Sequence, residues 1–279
     1  MKLGVSAFAW TSRLKPSHLH LLPELKKMGF SGFEIPMLDP SLLPSEEIKA
    51  AFEANGMECT VCALLPKEVN PISPEPEVRK AAIAHLKRCI EVSARMGSKL
   101  LGGPLFAPIG YLPGPRPTKD EWSWAVDAFQ ALAAPLAEND LTLSIEPVNR
   151  SETFFLRTAE EARHLCESIG NPRIGITIDT FHANIEELSI PNAIMDVRPY
   201  LRHVHLSEND RGPLGRGHIP FDAILSALRK IAYSGYLMIE GFGYDQSEIY
   251  GPGVLWAKQD VSPWAFASES VQFLDRLIR

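Results

Sequence analysis

The sequence predicts a single (β/α)8 barrel, and the main observation behind this is a regular alternation of two kinds of segment. Short β-rich runs are separated by longer stretches with helical spacing, and several runs are almost wholly apolar, as in parallel strands buried on both faces. Eight such units favour a closed barrel, with a doubly wound open sheet as the second choice. The length of 279 residues suits one domain over residues 1–279, because such barrels take about 250 residues.

Each strand is predicted from its own apolar run and the turn residues that follow it. The eight predicted strands are Leu3–Phe8, Gly32–Ile35, Glu58–Ala63, Lys99–Gly103, Leu141–Glu146, Ile174–Asp179, His203–Leu206 and Tyr236–Glu240. Between them, Glu46 and Glu47 mark the first turn of one predicted helix, which ends at Asn55–Gly56. Apolar residues at i, i+3, i+4 and i+7 from Phe221 predict another. Glycines that end helices before a strand are expected at Gly29, Gly56, Gly97, Gly170 and Gly235.

Two long stretches interrupt the alternation. Residues 102–119 follow strand four and are rich in proline and glycine, and residues 243–262 follow strand eight and are equally irregular. Loops of this length are usually functional or mobile. In a barrel both would lie on the C-terminal face, which carries active sites. We therefore expect these long loops after strands four and eight to cover a pocket or to contact a second subunit.

Composition narrows the classes of function. The net charge of −6 argues against a nucleic-acid partner, since phosphate binding usually leaves a basic patch. No run approaches the roughly 18 apolar residues of a membrane span, and the amino-terminal apolar stretch is too short for a signal peptide. We expect a cytoplasmic protein with no membrane partner. Cys59 and Cys62 form a CxxC without a second pair nearby, which favours buried thiols over a zinc site.

Four consecutive predicted strands carry ionisable side chains at their ends. Glu146 ends strand five, Asp179 ends strand six, His205 lies near the end of strand seven, and Glu240 ends strand eight. A barrel brings these ends together around one mouth. Three converging carboxylates would repel one another unless a cation lay among them. Oxygen ligands with one nitrogen suit Mn²⁺ or Mg²⁺ better than a structural zinc, so the sequence predicts a divalent metal site.

Three segments around these residues resemble a known family. They are EPVNRSE from position 146, IDTFHANIEE from 178 and HVHLSENDRGPLGRGHIPFD from 203. These segments are similar to those of the ketose 3-epimerases, the D-tagatose, D-psicose and L-ribulose 3-epimerases of the xylose isomerase-like barrels. The resemblance extends over essentially the whole chain and implies C3 epimerisation of a free ketose of the D-tagatose, D-fructose, D-psicose or L-ribulose type.

The resemblance also implies roles for particular residues. Two of the four metal ligands, Glu146 and Glu240, would double as the acid/base pair, one removing the C3 proton to give a cis-enediolate and the other returning a proton. The residues implied to hydrogen-bond substrate oxygens are Glu152, His182 and Arg211. The implied cofactor is a divalent metal, Mn²⁺ ahead of Mg²⁺ or Co²⁺, and the implied assembly is a homodimer or homotetramer.

Two further residues, His203 and Gly241, lie close to the predicted ligands in the sequence. His203 is expected to point away from His205 and to be structural. Gly241 follows Glu240 where relatives often have proline, and this loosens the backbone beside Glu240. It puts in doubt the shape of the pocket at the far end of the substrate, but not the ligand itself.

Other functions stay open on the sequence. An aldose–ketose isomerase or an inosose dehydratase would use the same metal site and the same enediolate chemistry. An endonuclease-IV-like DNA repair enzyme shares the barrel but needs further histidines from earlier strands, and strands three and four offer none. A non-catalytic sugar-binding protein would have little need for two opposed carboxylates on a metal.

Overall fold

The computed structural model describes residues 1–114, 117–243 and 261–278, and its eight strands close into one barrel in chain order. All neighbouring strands are parallel, and pairing of the first with the eighth closes the ring. The predicted fold class is therefore confirmed. The strands are β1 Lys2–Ser6, β2 Gly32–Met37, β3 Glu58–Ala63, β4 Leu100–Gly103, β5 Thr142–Ile145, β6 Ile174–Asp179, β7 Leu201–Leu206 and β8 Tyr236–Ile239.

Helices cover the outside of the barrel. In the described ranges they are α1 Leu21–Lys27, α2 Ser45–Asn55, α3 Pro76–Arg95, α4 Lys119–Gln130, α5 Ala133–Glu138, α6 Ala159–Ile169, α7 Thr180–Glu186, α8 Ile190–Asp196, α9 Phe221–Lys230 and α10 Pro263–Ile278. Reciprocal side-chain caps fix where two of them begin. Thr118 and Glu121 cap α4, and Thr158 and Glu161 cap α6, each pair satisfying backbone N–H groups that the first helical turn leaves unpaired.

Helix ends show where glycine is needed and where it is not. Four of the five predicted glycines have the positive φ of a left-handed helix end, namely Gly29, Gly56, Gly97 and Gly170. The prediction for Gly235 was wrong, because Ala232 takes the left-handed conformation after α9, with a φ of 54°. At Gly235 a side chain would instead collide with the hydroxyl of Tyr233.

The long loops occur where they were predicted, as far as the described residues reach. Residues 104–114 and 117–118 follow β4 without helix or strand, and α4 begins at Lys119. Of the predicted stretch 243–262, only residues 243, 261 and 262 are described. The rest of that prediction lies outside the described residues.

A close approach between β3 and β4 positions one residue of the site. Gly103 ends β4 with a φ of +123°, and any side chain there would collide with the carbonyl oxygen of Ala63 on β3. The carbonyl oxygen of Gly103 in turn accepts the backbone N–H of Glu146 at 3.0 Å. Glycine is required at this position because other residues rarely adopt that backbone conformation.

The state of the cysteines and the character of the helices complete the description of the fold. All four cysteines, including Cys59 and Cys62, are buried and free, as predicted for the CxxC pair. None of the helices in the described part of the chain combines the length and apolar character needed to cross a bilayer.

Candidate active site

Strands β5 to β8 bring the four predicted metal ligands to one mouth of the barrel. Asp179 is the last residue of β6 and is paired in register with His205 of β7. Glu146 and Glu240 directly follow β5 and β8. All four side chains are buried, and one potential ligand atom from each lies within 4.8 Å of the others. The barrel thus assembles three carboxylates and one imidazole from four separate strands.

The imidazole of His205 indicates what this group can bind. Its Nδ1 lies 3.3 Å from Oε1 of Glu146 and 3.7 Å from Oε1 of Glu240. This nitrogen is buried and makes no hydrogen bond to any described residue. Buried polar atoms are rarely left unsatisfied, because desolvation without a partner is costly. A divalent cation would satisfy the nitrogen and the carboxylates together, so this oxygen-rich donor set fits such an ion.

Arg211 supplies positive charge beside the carboxylates. Its Nη1 donates to Oδ2 of Asp179 at 2.6 Å and to Oε2 of Glu240 at 2.7 Å. The guanidinium carbon lies over two aromatic rings, 4.1 Å from the ring centroid of Phe181 and 5.0 Å from that of Phe242. Arg211 is therefore held by two carboxyl groups and by contacts with two aromatic rings.

The loop that carries Arg211 is fixed by a buried carboxylate. Arg211 has a φ of 60°, which is unusual for a residue other than glycine. Glu208 is fully buried and accepts backbone N–H groups from Gly215 at 2.9 Å and from Ile219 at 3.1 Å. Gly241 lies against the same loop, where an added side chain would meet the carbonyl oxygen of Arg211 and the ring of Phe266. These contacts hold the arginine in its position at the mouth.

Burial and charge shift the pKa values of the group in different directions. Burial raises the pKa of Glu240 to about 8, against the attraction of His205 and Arg211. Burial also opposes ionisation of Asp179, but the positive charge of Arg211 and a hydrogen bond from the backbone N–H of Phe181 hold its pKa below the usual range. The pKa of His205 lies well above its ordinary value although burial opposes this, because carboxylates surround the ring. A bound cation would favour the ionised form of each carboxylate.

Two of the predicted substrate-binding residues form a network with Asn149, a residue that the sequence reasoning missed. The amide oxygen of Asn149 accepts the backbone N–H of Ser151 at 2.9 Å, and this fixes which end of the amide faces the site. The Nδ2 atom then donates to Oε1 of Glu152 at 2.8 Å and to Nδ1 of His182 at 2.9 Å. The backbone N–H of Asn149 also donates to Nδ1 of His182.

Both ring nitrogens of His182 face groups that can only donate. The backbone N–H of Asn149 faces Nδ1, and the guanidinium of Arg211 faces Nε2. That atom lies 3.2 Å from Nη2 of Arg211 and 3.8 Å from Oδ2 of Asp179. The structure thus brings Glu152, His182 and Arg211 together beside the four predicted ligands. His182 brings a ring nitrogen to this place, and Glu152 offers an acceptor.

The sequence reasoning also missed Glu34 of β2. This carboxylate is fully buried and lies against β7. Its Oε2 accepts hydrogen bonds from Nε2 of His203 at 2.9 Å and from Thr60 Oγ1 at 3.1 Å, while Oε1 lies 3.0 Å from Nε2 of His205. The only signal in the sequence is one acidic residue within the apolar strand GFEIPM.

The position of His203 corrects a prediction. His203 was expected to point away from His205, but both imidazoles reach the same Glu34 carboxylate. The physical reason is the strand repeat, which places residues i and i+2 on the same face. His203 therefore lies inside the barrel with His205, although not among the group at the mouth.

The closed parallel barrel, with ionisable side chains gathered at the carboxyl ends of its strands, defines a TIM-barrel enzyme. The xylose isomerase-like TIM barrel family model matches residues 22–266. The chain is 29% identical to a probable ketose 3-epimerase from Synechocystis sp., over 98% of this chain and 96% of that one. It is 31% identical to a D-psicose 3-epimerase from Ruminiclostridium cellulolyticum, over 87% of this chain and 84% of that one.

Solved structures agree with these relatives. The crystal structure of D-psicose 3-epimerase with D-tagatose from Clostridium cellulolyticum matches with a TM-score of 0.87 and 26% identity, covering 100% of this chain and 98% of that one. The chain therefore belongs to the xylose isomerase-like TIM barrel family and, within it, to the ketose 3-epimerases.

Proposed function

We propose that this protein catalyses metal-dependent C3 epimerisation of free ketoses of the D-tagatose, D-fructose, D-psicose or L-ribulose type. The observation that carries the proposal is the buried convergence of Glu146, Asp179, His205 and Glu240, with the unsatisfied Nδ1 of His205 among them. Relatives named for C3 epimerisation of ketoses support the reaction. A related structure that contains D-tagatose supports a ketose as substrate.

Two glutamates would move the proton. A divalent cation, when bound, polarises a ketose carbonyl and acidifies the adjacent C–H. Glu146 and Glu240 come from β5 and β8, which β6 and β7 separate, so their carboxylates approach a bound sugar from two sides. In the proposal one carboxylate removes the C3 proton to give a cis-enediolate, and the other returns a proton to the opposite face. The configuration of the incoming sugar decides which glutamate acts first.

Three neighbouring residues would hold the sugar in register with these carboxylates. Nε2 of His182 can form a hydrogen bond to a sugar hydroxyl, and the carboxylate of Glu152 can accept one from another hydroxyl. The guanidinium of Arg211 is fixed by Asp179 and Glu240, and it can donate to a further sugar oxygen. Such positioning restricts which C–H lies between the two bases, and this is what separates epimerisation at C3 from isomerisation.

Mn²⁺ is the metal we propose, with Mg²⁺ and Co²⁺ as the other candidates, because three of the four donors are carboxylates.

We propose a homodimer or homotetramer, and Leu112 and Leu188 are exposed apolar side chains that subunit contact could cover. A cytoplasmic location and a single domain over residues 1–279 also stay predictions. Size-exclusion chromatography with light scattering tests the assembly.

Turnover by metal-stripped protein tests the reaction. The protein is treated with a chelator and assayed on D-fructose, D-tagatose and L-ribulose with and without added Mn²⁺, and products are separated by chromatography. We expect the C3 epimers, and only in the presence of metal. A new aldose would support the aldose–ketose isomerase alternative, and loss of water from an inosose would support the dehydratase. Epimerisation that is unchanged by complete metal removal would contradict metal dependence.

The DNA repair alternative has a separate test. The last residues of β1 to β4 are Ser6, Met37, Ala63 and Gly103, so these strand ends add no histidine to the mouth. Cleavage of abasic duplex DNA by the metal-loaded protein would nevertheless support that alternative. We expect none.

A further inference from the structure

Glu34 is positioned to control the imidazole that the proposed metal site uses. Its Oε2 is held by two donors, Nε2 of His203 at 2.9 Å and Oγ1 of Thr60 at 3.1 Å. These contacts fix the carboxylate plane from one side. They leave Oε1 facing Nε2 of His205 at 3.0 Å.

The contact between Glu34 and His205 joins two atoms that have no other hydrogen-bond partner in the described part of the chain. Oε1 of Glu34 and Nε2 of His205 are both buried, and no other described group hydrogen-bonds to either atom. The two atoms are close together, but they are not aligned for a linear hydrogen bond. Because buried polar atoms are rarely left without a partner, each atom of the pair is the natural partner of the other.

The consequence lies on the opposite side of the ring. With Nε2 turned towards Glu34, the other ring nitrogen, Nδ1, faces Glu146 and Glu240 at 3.3 and 3.7 Å. A carboxylate behind a metal-binding histidine fixes the orientation and tautomer of the ring and makes the nitrogen a better ligand. We propose that Glu34 is a positioning residue of the metal site, which holds Nε2 of His205 so that Nδ1 is presented to the cation. This inference rests on the metal site of the proposed function.

A purely structural role is the competing interpretation. A buried carboxylate between two imidazoles could simply neutralise charge inside the barrel. That role would affect folding stability but would not set metal affinity once the protein is folded. The two interpretations therefore differ in the dissociation constant for the metal.

The experiment compares two glutamate-to-glutamine variants. Glu34→Gln keeps the shape of the side chain, while Glu58→Gln makes the same change on β3 at an exposed residue paired with Lys2. Metal-stripped proteins are titrated with Mn²⁺ by isothermal calorimetry, after circular dichroism confirms that each is folded. We expect Glu34→Gln to weaken Mn²⁺ binding about 10–100-fold, the usual cost of losing such a partner. We expect the Glu58→Gln constant to stay within about twofold of the parent, since exposed pairs contribute little.

A milder variant and a spectroscopic measurement cover the case in which Glu34→Gln does not fold. Thr60→Val removes one of the two donors that fix Glu34, and we expect roughly 2–10-fold weaker Mn²⁺ binding, as for the loss of one hydrogen bond. In the parent protein loaded with diamagnetic Zn²⁺, ¹⁵N NMR of His205 should show a protonated Nε2 and a metal-bound Nδ1.

The outcomes separate this inference from the proposed function. A folded Glu34→Gln that binds Mn²⁺ as tightly as the parent would show that Glu34 is structural only. A spectrum with Nδ1 protonated and Nε2 on the metal would overturn the proposal in the same way. If the parent itself bound no divalent metal, the metal site of the proposed function would fail, and this inference would fail with it.

Discussion

The two halves of the barrel share one backbone geometry but carry different chemistry. Strands β5 to β8 deliver Glu146, Asp179, His205 and Glu240 to the mouth. Strands β1 to β4 end on a serine, a methionine, an alanine and a glycine. The strand ends are equivalent in position, so the difference comes from the side chains alone.

The half without ligands supports the half that has them. Gly103 at the end of β4 accepts the backbone N–H of Glu146, and Glu34 of β2 contacts His205 from behind. Thr60 on β3 donates to Glu34. The first half thus contributes orientation, and the second half contributes the groups that would bind and react. This division predicts that substitutions of the mouth carboxylates in the second half have the largest effects on turnover.

The largest expected effect comes from the two glutamates of the second half. Glu146→Gln and Glu240→Gln each remove a base without changing side-chain size. We expect turnover of the best ketose to fall about 10²–10⁴-fold, because that is the usual contribution of a positioned acid or base. Steady-state rates are measured by chromatography at saturating Mn²⁺, with bound metal quantified by mass spectrometry.

Glu58→Gln in the first half is the matched control, since it makes the same substitution far from the mouth. We expect its turnover to stay close to that of the parent. Near-normal C3 epimerisation by either mouth variant with metal bound would refute the roles assigned to Glu146 and Glu240.

A smaller effect is expected at Arg211, which links two ligand strands of the second half. Lysine keeps the positive charge but lacks the planar group that contacts Asp179 and Glu240 and also lies over the rings of Phe181 and Phe242. We expect Arg211→Lys to lower kcat/KM about 10–100-fold, as for losing a buried charged hydrogen bond. Arg150→Lys is the control, because Arg150 is exposed and pairs with Glu186 outside the mouth. Equal kinetics in the two variants would mean that charge alone matters at Arg211.

The residues at the strand ends of the second half were predictable from the sequence, and the residues that support them were not. Glu146, Asp179 and Glu240 were predictable, because each ends an apolar run and strand ends meet in a barrel. Glu34 was not, since its partner His203 is 169 positions away in the chain and a single acid in an apolar strand carries no pattern. Asn149 was missed for a similar reason, because its role depends on which side chains its amide faces.

The errors have local causes. The direction of His203 was predicted wrongly although the strand repeat of two residues determines it. Gly235 was taken for a helix end, but α9 stops earlier and Ala232 adopts the left-handed conformation instead. Strand existence and order are set by hydrophobic pattern over many residues, whereas these two features depend on one residue each.

The pH dependence of the folding stability of the metal-free protein tests the shifted pKa values in the second half. The pKa of Glu240 is raised to about 8 and that of His205 also lies above its ordinary value. The folded state therefore holds more protons than the unfolded state, so stability falls as pH rises from 6 through 8. We expect Tm in the presence of chelator to be a few degrees lower at pH 9 than at pH 6, since 1 kcal/mol corresponds to about 2–4 °C.

Calorimetry at both pH values, with and without Mn²⁺, checks this expectation. Added metal should stabilise more at pH 9, because its ligands must be deprotonated. Glu240→Gln should flatten the metal-free dependence. A metal-free Tm that rises between pH 6 and pH 9 would mean that these shifts do not govern stability.

The smallest effect is expected at Asn149, which orients His182 and Glu152 but lies behind them. Asn149→Ala removes the side-chain donor to both residues, while the backbone N–H still donates to Nδ1 of His182. The ring should therefore keep its orientation, and KM should rise only about 2–10-fold with kcat little changed, as for one lost hydrogen bond. Asn139→Ala serves as the control, because the side chain of Asn139 donates to the carbonyl of Pro135 in α5.

Asn149→Asp gives the sharper comparison, because it replaces the side-chain donor to Nδ1 of His182 with an acceptor and adds a second negative charge beside Glu152. If orientation by a donor is what matters, Asn149→Asp should impair KM more than Asn149→Ala does. Equal KM values for the two variants would mean that the backbone N–H alone orients His182. The side-chain contribution to this part of the second half would then be packing rather than hydrogen bonding.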